Sequence, residues 1–314
     1  YQDGFCISTD ADFVITGEVY PNENKPEGPF GDHLGYYSLT HDFPVMKVHK
    51  VYARKNAIWP FTVVGRPPQE DTSFGQLIHK MTGKAIQQEI PGLKEVHAVD
   101  AAGVHPLLLA IGSERYTPYT PTKQPAEILT IANHVLGTGQ LSLAKFLFIT
   151  ADDSPQGSAN NMVSTNNIEA YLAYILQRIN LKRDIHFYTN TTIDTLDYSG
   201  EGLNSGSKVL LAAYGEAIRA LGTIIPAALH NLPGFTKPQL VLQAAAFTNY
   251  EAAKEEMEML NNQLSIINDQ LKDFPFIVIG DDANFVSKAL NNFLWVTFTR
   301  CNPSHDMYGI DSFT

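Results

Sequence analysis

The sequence predicts a mixed α/β protein (α+β overall), with a β-rich N-terminal part followed by a layered α/β domain. Residues 12–20, DFVITGEVY, are rich in the β-branched and aromatic residues that are typical of strands. Beyond residue 95, short apolar runs such as PLLLAIG and KFLFIT alternate with helical windows such as QPAEILTIANHVLG. This alternation of strand and helix indicates a largely parallel sheet covered by helices.

The β-rich part is predicted to span residues 1–68. After the first strand comes a loop rich in glycine and proline, and then FPVMKVHKVYARKNAIWPFTVVGRPP, which we interpret as two strands joined by a turn near Lys55. Pro60 favours an edge position, because proline has no N–H to donate to a neighbouring strand. Residues 69–94 are predicted to connect this part to an α/β domain over 95–225.

An internal repeat links the α/β domain to a C-terminal extension over 226–314. KFLFITADD at 145–153 is similar to FPFIVIGDD at 274–282, and each precedes a helical window and an arginine six residues before an aspartate. We therefore expect strands over 145–150 and 276–280 with helices after them. The paired aspartates are interpreted as helix N-caps, or alternatively as ligand-binding groups at the carboxyl edge of a sheet.

Between the two repeat units, residues 250–271 carry an apolar residue at every third or fourth position. That spacing predicts one helix with Met257, Leu260, Leu264 and Ile267 buried. Packing on the protein's own core is the favoured interpretation. Contact with another copy of the chain is the alternative.

The composition excludes several classes of protein. Of the 314 residues, 44% are hydrophobic and only 18% are charged, below the usual value of about 25%, which indicates a large buried surface that can include contacts between protomers. The net charge is −11, so binding to phosphate backbones is not expected. Two distant cysteines, Cys6 and Cys301, form no disulfide framework and fit a reducing cytoplasm. No apolar run approaches the roughly 18 residues that span a membrane.

The segment KPEGPFGDHLGYYS, residues 25–38, carries Glu27 and Asp32 in a stretch whose prolines and glycines prevent a regular helix. By residue type alone, a surface turn with solvated carboxylates is favoured. The alternative is a shaped loop that points both carboxylates at one ligand, where one acid orients a cation and the other moves a proton.

Other candidate groups are less specific. Lys145 begins its predicted strand, where an exposed lysine is ordinary and a contact with a phosphate is the functional alternative. The ten histidines show no metal-ligand spacing, so no metal ligand is predicted in this chain. His33, beside Asp32, is interpreted as a histidine of the loop or the core.

Several segments together resemble the UbiD-type decarboxylases, which include the 3-polyprenyl-4-hydroxybenzoate carboxy-lyases. They are GEVYPNENKPEGPFGDHLGYYS, FPVMKVHKVYARKNAIWPFTVVGRPP, AKFLFITADD, QRINLKRD and TTIDTLDYSGEGLNSGSK. The resemblance implies that residues 1–68 are the tail of a flavin-binding split β-barrel that precedes a connector and a C-terminal α/β domain. It also implies prenylated FMN, a divalent metal (Mn or Mg) and potassium. The implied reaction is the reversible, non-oxidative decarboxylation of an aromatic or α,β-unsaturated acid.

The resemblance also implies roles for individual residues. Glu27 matches the acid that positions an arginine and supports the cofactor, Asp32 matches the proton donor, and Lys145 matches a lysine that reaches the cofactor phosphate. The family's arginine, metal ligands and most phosphate contacts are expected upstream of residue 1. We therefore expect a C-terminal portion of a longer protein that by itself has no decarboxylase activity and holds no cofactor.

Three functions follow from these observations. The leading one is a prenylated-FMN decarboxylase of a small carboxylic acid that forms a homo-oligomer. The second is a non-catalytic fragment for oligomerisation or assembly, and the third is an ordinary split-barrel FMN oxidoreductase. Bound flavin argues against the second, and unmodified FMN that NADH reduces would favour the third.

Overall fold

The computed structural model describes residues 4–61, 63–116, 119, 123–152, 163–200, 202–226, 229, 240–310 and 312. The chain divides into two compact units, Tyr1–Gly65 and Arg66–Thr314.

The first unit is built on an antiparallel two-stranded ribbon, β1 (Phe13–Glu27) and β2 (His41–Ala53). The strand predicted over 12–20 is confirmed and continues as far as Glu27. The register shifts after Thr16, where a Cβ on Gly17 would lie 2.3 Å from the carbonyl oxygen of Lys47. Glycine therefore allows the two backbones to approach closely at this point.

The chain turns at Lys55 and Asn56, as predicted, and Asn56 has a positive φ of 65°. The second strand predicted after this turn is wrong, because residues 57–61, 63 and 64 form no regular structure. A strand needs a hydrogen-bonded neighbour, and Pro60 lacks an N–H for one. The apolar residues of this segment are exposed; they include Ile58, Trp59, Phe61 and Val63.

The second unit contains a five-stranded sheet in the order β3-β4-β5-β7-β6. Its strands are β3 (Glu95–Ala98), β4 (Leu107–Gly112), β5 (Phe146–Ala151), β6 (Ile185–Thr191) and β7 (Gly206–Ala213). The three central strands β4, β5 and β7 run parallel, and the edge strands β3 and β6 run antiparallel to their neighbours. The central strands are buried along their whole length, as expected for strands covered on both faces. The α/β class is thus confirmed.

Helices cover both faces of this sheet. The helices of the connector and the α/β domain are α1 (Glu70–Glu89), α2 (Glu127–Leu136) and α3 (Ile168–Arg178). Ile128, Ile131 and Val135 of α2 pack with Leu147 and Leu210 on one face. On the other face α3 packs against residues that include Leu107, Leu109, Phe146 and Phe148.

The C-terminal segment pairs β8 (Leu240–Gln243) in parallel with β9 (Ile277–Gly280). Its helices are α4 (Tyr250–Ile266), α5 (Asn268–Leu271), α6 (Ala283–Ser287), α7 (Leu290–Arg300) and α8 (Pro303–Asp306). The strands predicted over 145–150 and 276–280, with helices after them, are confirmed. The ring of Phe298 lies 4.9 Å from that of Phe146, so α7 packs directly on the central sheet. No described helix is long and apolar enough to cross a membrane.

The two repeat units also end in the same turn. The Asp184 carboxylate accepts the backbone N–H of Asn180 at 3.0 Å, and Asp306 accepts that of Asn302 at 2.6 Å. Each aspartate donates its own N–H back to the asparagine carbonyl, at 2.8 Å and 2.9 Å. The repeated aspartate therefore serves in both copies to close the chain after the helix.

The single helix predicted over 250–271 is interrupted. Ile267 has φ −111° and ψ 16°, so α4 ends before it and α5 begins after it. Asn268 and Asp269 follow at the break, and both residue types have low helix propensity. Leu264 is buried as predicted, whereas Met257, Leu260 and Ile267 are half-buried. The stripe packs with Leu242 and Leu271, which confirms the interpretation that it lies on the protein's own core.

Candidate functional site

The loop between β1 and β2 has a defined shape. Gly28 has a φ of 91°, and a Cβ there would lie 2.9 Å from the Oγ of Ser38. The Ser38 N–H donates to the Phe30 carbonyl at 2.9 Å, and the Phe30 N–H donates to the Ser38 Oγ at 3.1 Å. Glycine is required at position 28 because residues with a side chain rarely adopt this backbone conformation. The two ends of the loop are therefore held together.

Asp32 lies in a tight turn within this loop. Its backbone N–H donates to the Tyr36 carbonyl at 3.0 Å, and its carbonyl accepts the Gly35 N–H at 2.8 Å. The carboxylate Oδ1 accepts the backbone N–H of His33 at 2.7 Å and lies 3.2 Å from the Nδ1 of the same residue. Only 17% of the Asp32 side chain is exposed. The carboxyl group is thus partly removed from water and fixed in position.

Glu27 is the last residue of β1, opposite His41 of β2 in the register of the ribbon. Its side chain is exposed, so its carboxylate is available to a cation. The Nδ1 of His41 is buried and has no hydrogen-bond partner in the described part of the chain. Glu27 is therefore solvated, as the surface-turn interpretation expects, although it ends a strand. Asp32 lies in a turn, but its side chain is mostly buried. The chemical roles of the two acids stay predictions.

Lys145 lies directly before β5 in the second unit, and its side chain is 1% exposed. Its Nζ lies 2.7 Å from the carboxylate of Asp197, which is 2% exposed. The same Nζ donates to the Ser199 Oγ at 2.8 Å and to the Thr299 carbonyl at 3.3 Å. The expectation of an exposed lysine is wrong, because a buried ammonium needs an opposite charge and hydrogen-bond acceptors. A contact between Lys145 and a cofactor phosphate stays a prediction.

The sequence interpretation missed a cluster of charged residues at the carboxyl end of β4. The Glu114 carboxylate accepts three backbone N–H groups at the start of α2, from Ala126, Glu127 and Ile128, at 2.6, 2.9 and 3.1 Å. An acid at a helix N-terminus is stabilised by the free N–H groups and the helix dipole. The signal in the sequence is the acid two residues after a fully apolar run, in LLLAIGSER.

Glu127 forms the second acid of this cluster. Its carboxylate lies 2.7 Å from a terminal guanidinium nitrogen of Arg115. Burial opposes ionisation of Glu127, but the hydrogen bonds from Arg115 outweigh it and lower the pKa of the carboxyl group. This cluster therefore carries ionised groups at the edge where ligands of open α/β sheets bind.

Asp282 and Asp152, one from each predicted aspartate pair, make different contacts. Asp282 accepts the backbone N–H of Phe285 at 2.9 Å and so caps α6, which confirms the N-cap interpretation for this residue. The backbone N–H of Asp152 donates to the Gly112 carbonyl at 3.0 Å, while Asp153 lies outside the described residues.

The family models match the chain in two consecutive parts. Residues 2–67 match the 3-octaprenyl-4-hydroxybenzoate carboxy-lyase Rift-related domain, and residues 72–213 match the 3-octaprenyl-4-hydroxybenzoate carboxy-lyase C-terminal domain.

Two chlamydial proteins are similar along almost the whole chain. A protein of Chlamydia pneumoniae that is named as a subunit of 4-hydroxybenzoate decarboxylase is 36% identical over 309 residues, which are 96% of this chain and 48% of that protein. An uncharacterised protein of Chlamydia trachomatis is 35% identical over 312 residues, which are 98% of this chain and 49% of that protein. The chain thus spans about half the length of these curated relatives.

Among solved structures, the vanillic acid decarboxylase of Sedimentibacter hydroxybenzoicus in its open form has a TM-score of 0.50 and 19% identity, and the match covers 80% of this chain and 47% of that one. This likeness concerns the fold alone. The two consecutive domain matches and the relatives that are similar along the chain together show that the chain belongs to the UbiD-type decarboxylase family.

Proposed function

We propose that this chain supplies the proton donor and the C-terminal domain of a non-oxidative decarboxylase that acts on a small aromatic or α,β-unsaturated carboxylic acid. Membership of the family supports the type of reaction. The observation that carries the assignment to residues is the β1–β2 loop, in which Asp32 is partly buried in a fixed turn and Glu27 remains exposed at the strand end.

The residues of this loop fit the reacting end of a flavin. Asp32 offers a carboxyl group that is only 17% exposed, and the buried Nδ1 of His41 has no partner among the described residues. Exposed apolar side chains along the ribbon, among them Val48 and Val51, suit a flat ring system. Prenylated FMN, when bound, supplies the electron sink for the loss of CO2.

In this proposal Asp32 acts as the general acid. The turn holds the carboxyl group in one position, with Oδ1 accepting the His33 backbone N–H at 2.7 Å. Once CO2 has left, Asp32 donates its proton to the substrate carbon and is reprotonated from solvent. Glu27 holds an arginine in place through its carboxylate. A contact of Lys145 with the cofactor phosphate requires its ammonium to leave the buried carboxylate of Asp197. A divalent metal (Mn or Mg) and potassium belong to the complete protein.

The same proposal includes the wider setting of the chain. We place residues 1–68 in the tail of a flavin-binding split β-barrel and the complete protein in the cytoplasm as a homo-oligomer. The free thiols of Cys6 and Cys301 fit that reducing compartment.

The test compares Asp32→Asn with Glu27→Gln in the complete protein. Asp32→Asn keeps the shape of the turn but cannot donate a carboxylic proton, so turnover should fall by about 10²- to 10⁴-fold with cofactor still bound. Uptake of solvent deuterium into the product should fall equally. Glu27→Gln removes the charge that holds the arginine, so it should also reduce cofactor occupancy.

The matched control is Asp42→Asn, which changes an exposed acid on β2 and should leave turnover and cofactor occupancy unchanged. Near-normal turnover of Asp32→Asn would overturn the assignment of the proton donor. Equal losses of turnover in Asp32→Asn, Glu27→Gln and Asp42→Asn would indicate a general effect of charge instead.

A further inference from the structure

Helix α1 packs on the rest of its unit through a thin inner face. None of its residues is fully buried, and the half-buried ones recur every three or four positions along one face. His79 lies in the middle of this face, with Gly75 one turn before it and Gly83 one turn after it. A Cβ on either glycine would meet no atom within 4 Å, so neither position packs closely. The middle of the helix is therefore held mainly through His79.

The ends of α1 have contacts of their own. In the first turn, the Thr72 hydroxyl donates to the Asp100 carboxylate at 2.9 Å. Toward the last turn, Ile86 packs against the hydrophobic core beside α2, and Gln87 donates to the Lys94 carbonyl at 2.5 Å. None of these contacts depends on the protonation of a histidine.

The contact in the middle of α1 requires a neutral imidazole. The Nε2 of His79 accepts the backbone N–H of Ala98 in β3 at 3.4 Å, so this nitrogen carries no proton. The ring of His97 lies beside it, with the two centroids 5.4 Å apart and the planes at 79°. The Nδ1 of His97 lies 2.8 Å from the Thr165 carbonyl, which can only accept, so Nδ1 carries the proton of that ring. Protonation of His79 would set a donor against the Ala98 N–H and a positive charge beside a second imidazole.

The charged groups around the two histidines come from α1, β3 and the turn after β3. Asp71 of α1 and His97 both act electrostatically on the carboxyl group of Asp100 in that turn. Glu95 lies two positions before His97 on the same face of β3, and residues 163–167 contribute no charge. No carboxylate of the described residues forms an ion pair with His79. Burial, with a smaller effect of His97, therefore lowers the pKa of His79 below its ordinary value of 6.5.

We propose that His79 makes the docking of α1 onto β3 sensitive to pH, with the helix held while His79 is neutral and released when acid protonates it. The undocked helix binds the proton with the ordinary affinity of histidine, whereas the docked helix binds it more weakly. Docking is therefore most favourable above about pH 6.5 and weakens as the pH falls below this value. The Asp100 carboxyl group acts in the opposite direction, because burial raises its pKa from 3.8. The proposal is independent of the proposed decarboxylation.

The first test follows hydrogen exchange of the α1 amides in the whole chain at about pH 7.5 and about pH 5.5. Protection factors remove the intrinsic pH dependence of exchange and report the opening of the helix. The protection of α1 should fall at the lower pH by up to about tenfold, the limit set by one pH unit below the ordinary pKa of histidine. The amides of α2 are the internal reference. Equal protection of α1 at both pH values would overturn the proposal.

The second test replaces single groups. His79→Gln keeps an acceptor for the Ala98 N–H but cannot be protonated, so the protection of α1 should no longer depend on pH. His134→Gln changes an exposed histidine of α2 and is the matched control, which should respond as the wild type does. Asp100→Asn keeps an acceptor for Thr72 and should also keep the response. A response that survives His79→Gln, or that Asp100→Asn abolishes, would overturn the assignment to His79.

The third test titrates the histidine rings of the wild type by NMR. His79 should titrate below 6.5, and the backbone shifts of α1 should follow the same curve. His97→Gln removes the neighbouring imidazole and should raise the pKa of His79 toward its ordinary value. Titration of His79 at or above 6.5, or α1 shifts that do not follow it, would overturn the proposal.

Discussion

The ammonium group of Lys145 lies 2.7 Å from the carboxylate of Asp197, and both side chains are almost completely buried. Through the Thr299 carbonyl, the same ammonium also contacts the last turn of α7. The ion pair therefore joins β5, the segment before β7 and the C-terminal segment at one point in the core.

Removal of Lys145 should strongly destabilise the chain. Lys145→Met leaves the Asp197 carboxylate buried without its partner, and breaking a buried pair in this way costs about 3–5 kcal/mol. The free energy of unfolding, measured by urea denaturation, should fall by this amount.

The double variant Lys145→Met/Asp197→Leu is the control for this prediction. It removes both charges, so it should be considerably more stable than the single variant. A double variant that is no more stable than Lys145→Met would show that the two side chains are not coupled as the structure indicates.

Lys208 on β7 is also buried, but its ammonium donates to the backbone carbonyl of Ser142 and forms no ion pair with a described carboxylate. Burial lowers the pKa of Lys208 from 10.5 to about 8. Between these two values the unfolded chain binds more protons than the folded chain, so stability should rise with pH across this window. At pH 7 the full penalty for a buried charge applies.

Lys208→Met should therefore raise the stability at pH 7 and flatten the rise in stability between about pH 8 and pH 10.5, both followed by chemical denaturation at several pH values. The exposed Lys182→Met is the matched control and should leave the slope unchanged. An unchanged slope in Lys208→Met would refute the lowered pKa.

Glu114 holds the beginning of α2 through three backbone N–H groups. Glu114→Gln keeps the size of the side chain but removes its charge and turns one acceptor into a donor. We expect a loss of about 1–3 kcal/mol in the free energy of unfolding, because a buried helix end loses charged hydrogen bonds. The control is Glu89→Gln, which changes an exposed acid at the C-terminal end of α1 and should change the free energy of unfolding little.

Leu264 is the buried centre of the α4 stripe. Leu264→Ala should lower the free energy of unfolding by about 2–5 kcal/mol, because it leaves a cavity against Leu242 and Leu271. Ile266→Ala, on the exposed side of the same helix, should stay within about 0.5 kcal/mol of the wild type. Similar losses of stability in Leu264→Ala and Ile266→Ala would show that the α4 stripe does not face the core.

Local residue patterns were enough to predict most strands and helices of this fold. The apolar runs at Leu107–Gly112 and Phe146–Ala151 became fully buried strands, because a strand covered on both faces needs apolar side chains at every position. The repeat likewise indicated two similar strand–helix units, and the shared turn at Asp184 and Asp306 bears this out. The glycines and prolines around Asp32 correctly indicated a non-helical loop.

Which distant groups meet depends on how the elements pack in the folded chain. Lys145 and Asp197 are far apart in the chain, and no residue spacing indicates that they form a buried ion pair. The segment after Asn56 has strand-like composition, yet its described residues form no strand. A strand needs a hydrogen-bonded neighbour, which the composition of one segment does not supply. On α1, Phe74, Leu77 and Ile78 have the spacing of a buried helix face and are nevertheless exposed. Periodicity reports which residues share a face, whereas burial depends on what the rest of the molecule places against that face.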